Sequence, residues 1–384
     1  MLQAGFTRNH TLLFILFLTA VSYLFARRPT MSSPSTTQTA LIVSSIGGRI
    51  TSTSSWPIPR PGPKQVQIRV TVAGLNPHDQ KSRDAGLLIK DKLPAIIGND
   101  ITGVVTAIGE QVTRFSVGDR VVSQSQLAYE QKALQQFAVL EEDFTAKIPY
   151  PFSDHDAATL PTNALAALIS LFDPTSGLGI PAPWSSSRSS FDYAATTLLI
   201  VGGGSNCGRF GVQFAKMAGI GRIVVVGGEE EELKKWGATV VLDRHGGDAA
   251  VIHRIRQVVG DDLVYVFDAI NLPEGQHVAI SALSSSQRGK LARLRSSVGS
   301  VDETKIVGEK KAGYELKNVL GISQLKPDTV RPFWERLEGY LQDGSVVPLK
   351  YEVINGLDAD KVNELLDRYR DGKKVVQTHF RVSE

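Results

Sequence analysis

The segment TTLLIVGGGSNCGRFGVQFAK, from Thr196 to Lys216, places three consecutive glycines directly after a run of apolar residues. The apolar run predicts a buried strand, and the residues after the glycines predict a helix. A helix that follows a strand this closely brings its free N–H groups and the positive end of its dipole against a phosphate. Because glycine has no side chain to block that approach, the segment predicts a turn that holds the pyrophosphate of a dinucleotide.

The turn departs in one position from the usual Gly-x-Gly-x-x-Gly pattern. Gly203, Ser205 and Gly208 occupy that pattern, so a serine stands in the middle, and an ordinary glycine-rich turn is the alternative interpretation. The substitution Gly203→Trp is expected to abolish cofactor binding while the protein stays folded. Cys207, the single cysteine of the sequence, is interpreted as a small hydrophobic residue rather than a redox thiol. The residues predicted to bind the cofactor in this turn are Gly202, Gly203, Gly204, Ser205, Asn206, Cys207 and Gly208.

Strands and helices alternate after the glycine segment. The runs TLLIV, RIVVV, TVVL and LVYVFDAI are separated by helical segments, which predicts a parallel sheet with helices on both faces. Between Ala40 and Lys147, short β-branched runs broken by glycine and proline predict a small antiparallel β-barrel. A chain of 384 residues is long enough for two lobes. The predicted divisions are an N-terminal segment at 1–39, barrel residues at 40–161 and a cofactor domain at 162–319.

The end of the second predicted strand bears on the choice of dinucleotide. NAD enzymes usually carry an acidic residue there, whereas RIVVV ends in Gly227 and Gly228. Either Arg244 or Arg222 could supply a cation for a 2′-phosphate, so the sequence favours NADPH. The run EEEE at 229–232 would oppose a phosphate unless it caps the next helix. Asp268, at the end of the fourth predicted strand, is a further candidate cofactor contact.

Composition and charge exclude several partners and sites. A net charge of +3 without a basic block disfavours nucleic acid, and one cysteine excludes both an intramolecular disulfide and a four-thiolate zinc cage. The apolar run TLLFILFLTAVSYLFA at 11–26 leaves three interpretations open: a membrane anchor, a secretory signal, or a start of translation at Met31. A dinucleotide-dependent enzyme finds little cofactor outside the cell, which counts against the secretory signal. We therefore expect a cytoplasmic protein, with anchoring through 11–26 as an open alternative.

Four motifs carry a family resemblance. They are AGLNPHDQK (73–81), IIGNDITGVVTAIGEQVTRFSVGDRVV (96–122), AATLPTNALAALISLF (157–172) and GLGIPAPW (177–184). With these motifs the chain resembles the zinc-independent branch of the medium-chain dehydrogenase/reductases, which includes quinone oxidoreductases and the trans-acting enoyl reductases of fungi. The resemblance implies an α/β fold in which a Rossmann doubly wound parallel sheet is combined with a GroES-like β-barrel domain. It also implies that residues 320–384 return to the barrel.

The resemblance also implies roles for individual residues. Asn76, with the backbone through Asp79, is expected to face the nicotinamide or its ribose, and a turn shaped by Asn76-Pro77 is the alternative. Tyr129 is a candidate hydrogen-bond donor to a substrate carbonyl, with a packing or surface role as its alternative. Asn76 and Tyr129 are thus the predicted catalytic residues. Where zinc-dependent relatives have a cysteine and a histidine, this chain has Asn76 and Asn99, so no metal site is expected.

Without zinc to polarise an alcohol, reduction of an activated alkene or a quinone is favoured. The expected substrate is a small enone, quinone or polyketide-like molecule in a cleft between the lobes, with Trp334 and the VVPL segment (346–349) as wall residues. Two rival functions stay open: an alcohol dehydrogenase that binds a metal elsewhere, and a nucleotide-binding regulatory or membrane-associated protein without turnover. The family includes monomers and dimers, so a homodimer is also left open.

Overall fold

The computed structural model describes residues 36–295 and 299–383. The apolar segment 11–26, with its three interpretations, lies outside the described residues. Among the residues that are described, no helix combines the length and the apolar character needed to cross a membrane.

The first half of the described chain is mainly antiparallel β-structure. Its elements are β1 (Thr37–Ile42), β2 (Thr51–Pro57), β3 (Gln65–Leu75), α1 (Pro77–Ala85), β4 (Asp100–Ile108), β5 (Arg120–Gln124), β6 (Phe137–Glu141), β7 (Thr145–Lys147), α2 (Asp154–Ala158) and α3 (Pro161–Phe172).

The second half alternates strands and helices before it returns to the first sheet. Its elements are β8 (Thr197–Val201), α4 (Asn206–Ala218), β9 (Arg222–Val226), α5 (Glu230–Trp236), β10 (Val240–Leu242), α6 (Asp248–Val259), β11 (Tyr265–Asp268), α7 (His277–Ala282), β12 (Gly289–Arg293), β13 (Tyr314–Asn318), α8 (Pro327–Gln342), β14 (Tyr351–Asn355), α9 (Ala359–Arg370) and β15 (Gln377–Arg381).

A six-stranded parallel sheet forms the centre of the second half, in the order β10-β9-β8-β11-β12-β13. The order reverses between β8 and β11, and ligands of such sheets bind outside the carboxyl ends of the strands at this reversal. Val201 pairs in register with Val226 and with Asp268, so three strand ends lie side by side at that edge. The turns after β8, β9 and β11 are therefore neighbours.

The barrel sheet has the order β14-β15-β3-β4-β5-β7, and β6 also pairs with β3. β15 pairs antiparallel with β3, which places Thr378 opposite Leu75. The end of the chain thus joins the barrel sheet, and all strands of the parallel sheet fall within 162–319. The finer domain boundaries stay predictions.

Helix α3 connects the two sheets through a shared core. It begins at Pro161, where a missing N–H costs nothing, and nearly all of its residues are buried. Trp334 of α8 belongs to the same core: the residue is 1% exposed, contacts Phe333 and donates to Ser323 Oγ at 3.3 Å. The structure therefore does not support the expectation that Trp334 lines a substrate cleft.

Candidate cofactor and substrate site

The glycine turn joins β8 to α4 as expected from the sequence. Ser205 is the N-cap of α4: its Oγ accepts from Gly208 N at 3.0 Å and donates to the Gly202 carbonyl at 2.8 Å. The serine in the middle of the pattern thus closes the turn and satisfies one of the free N–H groups of the helix. Gly202 has φ +92°, a conformation that glycine adopts without strain.

Two glycines of the turn serve close packing. A Cβ at Gly203 would lie 2.2 Å from Val225 Cγ1 and 2.6 Å from the Gly227 carbonyl oxygen. A Cβ at Gly208 would lie 2.3 Å from the Gly202 carbonyl oxygen. The expectation that Gly203→Trp leaves a folded protein is therefore wrong, because any side chain at this position collides with β9 and the turn that follows it.

The open side of the turn is at Gly204. This residue is exposed, and a Cβ there would come no closer than 3.2 Å to Gly228 Cα. The first N–H groups of α4 follow directly, and they have no acceptor within the helix. A pyrophosphate fits this rim, since it needs backbone donors and a surface without side chains.

The turn after β9 presents one cation to the same edge. Gly227 and Gly228 have φ +74° and +107°, and a Cβ on Gly227 would lie 3.1 Å from Arg244 Cδ. Arg244 thus lies over Gly227, is exposed, and has no ion-pair partner among the described residues. Arg222 stands at the opposite end of β9 and donates to the Val258 carbonyl at 3.0 Å. Of the two candidate arginines, Arg244 is the one at the cofactor edge.

The glutamate run caps the next helix, which confirms one of the alternatives for it. Glu229 accepts from Glu231 N at 3.2 Å and from Glu232 N at 2.7 Å. Glu232 also pairs with Arg209 at 3.2 Å. The carboxylates of Glu229 and Glu232 are therefore already paired with N–H groups of the protein.

Asn76 links the barrel lobe to the start of α4. It is buried, its Nδ2 donates to Asp100 Oδ2 at 2.7 Å, and its Oδ1 accepts from Asn163 Nδ2 at 3.1 Å. Asn163 Oδ1 in turn accepts from Cys207 Sγ at 3.5 Å. Burial raises the pKa of the Cys207 thiol to about 12, so the thiol stays protonated at neutral pH.

Asp100 is the centre of this network, which the sequence did not indicate. It is fully buried and accepts from Thr162 N at 2.7 Å and from Gln377 Nε2 at 3.4 Å. Gln377 Oε1 accepts from Asn206 Nδ2 at 3.1 Å, which makes a second link to α4. Burial raises the pKa of Asp100 to about 7. The network thus joins the start of α1, β4, α3, α4 and β15 where the two sheets meet.

Comparison with known proteins identifies the fold. Residues 62–150 match the family model of the alcohol dehydrogenase GroES-like domain, and residues 207–338 match that of zinc-binding dehydrogenases. The trans-enoyl reductase tazE of Aspergillus terreus is 32% identical over 226 residues, which cover 56% of this chain and 71% of that relative. The chain belongs to the medium-chain dehydrogenase/reductases. Its α/β architecture is the Rossmann sheet with a GroES-like domain.

Two further proteins are similar to this medium-chain dehydrogenase/reductase over most of its length. A zinc-type alcohol dehydrogenase-like protein of Staphylococcus epidermidis is 29% identical over 324 residues, which cover 81% of this chain and 88% of that protein. A mycobacterial protein solved in complex with NADPH has a TM-score of 0.67 and 21% identity, and the match covers 90% of this chain and 99% of that one. The structural match shows the shared fold.

Three predicted site residues of this dehydrogenase/reductase are engaged in local structure. Asp79 accepts from Asn76 N at 2.8 Å and Gly98 N at 3.0 Å, and thereby caps α1. The Tyr129 hydroxyl donates to the Lys92 carbonyl. Asp268 accepts from Asn271 N at 2.9 Å and shapes the turn after β11. Their contacts with cofactor or substrate stay predictions.

The two asparagines that stand where zinc-dependent relatives have metal ligands have different partners. Asn76 belongs to the Asp100 network, whereas Asn99 Oδ1 accepts from Lys132 Nζ at 2.7 Å. Within residues 36–295 and 299–383, no group of three or more histidine, cysteine or acidic side chains is placed to hold a metal ion. The position of Lys132 gave no signal in the sequence, because a single lysine in QKALQQ is typical of an exposed loop.

Proposed function

We propose that this protein uses NADPH to transfer hydride to an activated alkene or a quinone without zinc. The observation that carries the proposal is the edge of the parallel sheet, where the open rim at Gly204 lies beside Arg244 over Gly227. The rim fits a pyrophosphate, and the guanidinium of Arg244 suits the 2′-phosphate that distinguishes NADPH from NADH.

The reaction type rests on the chemistry of the side chains near the predicted nicotinamide site. Bound NADPH would supply the hydride. The Asn76 amide is held by its hydrogen bond to Asp100, and the Asn99 amide by its hydrogen bond from Lys132. The ammonium group of Lys132 is a proton donor. Hydrogen-bond donors suffice to stabilise the oxygen of an enone or quinone as it gains charge. The relative named as a trans-enoyl reductase supports the same reaction class.

The experiment titrates the purified protein with NADPH and NADH and then adds acceptors. The panel contains a crotonyl thioester, a simple enone, a benzoquinone and a saturated aldehyde. We expect NADPH to bind more tightly and to be oxidised by the thioester, the enone or the quinone. Binding without oxidation by any acceptor would favour the regulatory alternative. Stoichiometric zinc with turnover of alcohols would favour the alcohol dehydrogenase alternative.

Replacing Arg244 tests the choice of dinucleotide. We expect Arg244→Ala to raise the Kd for NADPH by roughly 10- to 100-fold, because a hydrogen bond to a charged group contributes about 1.5–3 kcal/mol. The Kd for NADH should stay unchanged, since NADH has no 2′-phosphate. Fluorescence titration of both dinucleotides measures the effect, with Arg222→Ala at the other end of β9 as the matched control. Equal losses for both dinucleotides would contradict the assignment.

A further inference from the structure

Lys132 is a buried cation with unused hydrogen-bonding capacity. The residue is 6% exposed, and its Nζ donates to Asn99 Oδ1 at 2.7 Å. An ammonium group has three N–H donors. Among the described residues Asn99 Oδ1 is its one acceptor, so two N–H groups remain for another oxygen. A buried charge is costly unless it is paired and hydrogen-bonded, so a ligand oxygen that accepts from these two N–H groups would offset part of that cost.

Other buried polar atoms, on segments that adjoin Asn99 and Asn76, also make no hydrogen bond among the described residues. Ser125 lies across from Asn99, since Ser125 N donates to the Asn99 carbonyl at 2.8 Å. Ser125 Oγ and Gln126 Oε1 are buried and have no hydrogen-bond partner in the part of the chain that the structure describes. His78 Nε2 makes no hydrogen bond there either, and it lies 3.5 Å from Asp79 Oδ1. Buried polar groups are normally hydrogen-bonded to protein, ordered water or ligand, so these atoms can accept from or donate to a polar ligand.

The cluster adjoins the residues predicted to face the nicotinamide. Asn99 immediately precedes Asp100, whose carboxylate accepts from Asn76 Nδ2 and from Thr162 N at 2.7 Å each. His78 is two residues beyond Asn76, and the charge of Lys132 contributes to lowering the His78 pKa, after burial. Lys132 is thus next to the network that connects the barrel lobe with the glycine turn.

We propose that Lys132 is the catalytic acid that binds the carbonyl oxygen of the substrate and protonates it during reduction. This inference rests on the proposed function. As hydride reaches the β-carbon of an enone, the alkene electron pair moves toward the carbonyl carbon and the carbonyl π pair moves onto oxygen. The N–H bond of Lys132 breaks and its proton goes to that oxygen, which gives an enol. The enol then loses its O–H proton to water and takes a proton from water at the α-carbon, which gives the saturated ketone. The neutral amine regains a proton from water, and the nicotinamide that gave the hydride is left oxidised.

The surroundings of Lys132 suit a proton donor at neutral pH. Burial lowers the pKa of Lys132 to about 8, and the opposite charge of Asp79 acts against that shift. The titratable groups that face it are His78 and Asp79 from α1, and its hydrogen-bond partner Asn99 is uncharged. Lys132 is therefore mostly protonated at neutral pH and yet a stronger acid than an exposed lysine.

The first test replaces the ammonium with an apolar chain of similar length. We expect Lys132→Met to bind NADPH like the wild type and to lose about a hundredfold in kcat with a crotonyl thioester, as for removal of a general acid. The control is Lys310→Met. Lys310 also has its pKa lowered to about 8 by burial, but it donates to the Ser281 and Leu283 carbonyls in the Rossmann lobe, at 2.8 and 2.6 Å. The control should keep its turnover.

The second test is independent of turnover. NMR of the wild-type protein with ¹³C-labelled lysine side chains, compared with Lys132→Gln, assigns the Lys132 resonance. Without NADPH, a saturated ketone that mimics the product should shift this resonance, and the resonance should titrate near pH 8. The wild-type kcat should fall as pH rises through the same range, whereas the residual kcat of Lys132→Met should show no such fall.

The outcomes separate the two proposals. An active wild type with equal turnover in Lys132→Met overturns the role of Lys132 and leaves the proposed function intact. A ketone that leaves the Lys132 resonance unmoved also overturns this role. If none of the acceptors in the panel oxidises NADPH in the presence of the wild-type protein, the proposed function is overturned, and the role of Lys132 with it.

Discussion

The substitution Gly208→Val is expected to destabilise the protein by more than ~4 kcal/mol, which is a large part of the stability of a typical domain. A Cβ at Gly208 would lie 2.3 Å from the Gly202 carbonyl oxygen, 2.9 Å from its carbon and 3.0 Å from Gly203 Cα. All three are backbone atoms, so no side-chain rotation can relieve the overlap. The helix would have to move away from the sheet, and the packing between them would be lost.

Thermal unfolding measures this effect, with the yield of soluble protein as a second observation. The matched control is Gly204→Ala in the same turn, where the nearest atom to a Cβ is Gly228 Cα at 3.2 Å. The control should fold and bind NADPH more weakly, because its methyl group occupies the open rim. A wild-type Tm in Gly208→Val would contradict the close approach of α4 to the turn.

The strands that the sequence predicted differ from those it missed in composition. β8, β9 and β11 are rich in buried apolar residues, and each was predicted. β12 has the sequence GKLAR and β13 the sequence YELKN, and both were missed because charged residues interrupt the apolar pattern. β13 lies at the edge of the sheet, where one side of a strand has no neighbour and charged side chains are tolerated.

The site divides in a similar way between local and distant features. The glycine turn follows from residues that are close in sequence, so a motif predicted it. Asp100 and Gln377 meet although they are 277 residues apart, and Asn206 reaches Gln377 across 171 residues. Such pairs depend on how β15 returns to β3, and no local pattern encodes that register.

Two buried groups near the meeting point of the sheets should oppose each other in the pH dependence of stability. His379 is fully buried, and neither ring nitrogen has a hydrogen-bond partner among the described residues. Burial lowers its pKa from 6.5 to about 3, while burial raises the pKa of Asp100 from 3.8 to about 7. A Cβ on Gly74 would contact both, at 3.3 Å from His379 Cδ2 and 2.8 Å from Asp100 Cβ.

The signs follow from which state binds the proton. Between pH 3 and 6.5 the unfolded chain protonates His379 and the folded chain does not, so this residue makes stability rise with pH. Between pH 3.8 and 7 the folded chain keeps the proton on Asp100 and the unfolded chain loses it, so this residue makes stability fall with pH. Each slope is at most about 1.4 kcal/mol per pH unit.

When one of the two groups is replaced, the pH dependence of stability should therefore reflect the other group alone. Between pH 3.8 and 6.5 both groups bind protons differently in the folded and unfolded chains. As pH rises through this range, the free energy of unfolding of His379→Phe should fall by about 2–4 kcal/mol relative to that of the wild type, because the Asp100 slope then acts alone. Asp100→Asn should gain a similar amount over the same window and become the more acid-sensitive protein. Denaturant unfolding at a series of pH values measures both, and the double variant, which lacks both groups, is the control. If both single variants kept the wild-type pH dependence, neither group would titrate differently in the folded and unfolded chains, and burial of the uncharged imidazole and the protonated carboxyl would be refuted.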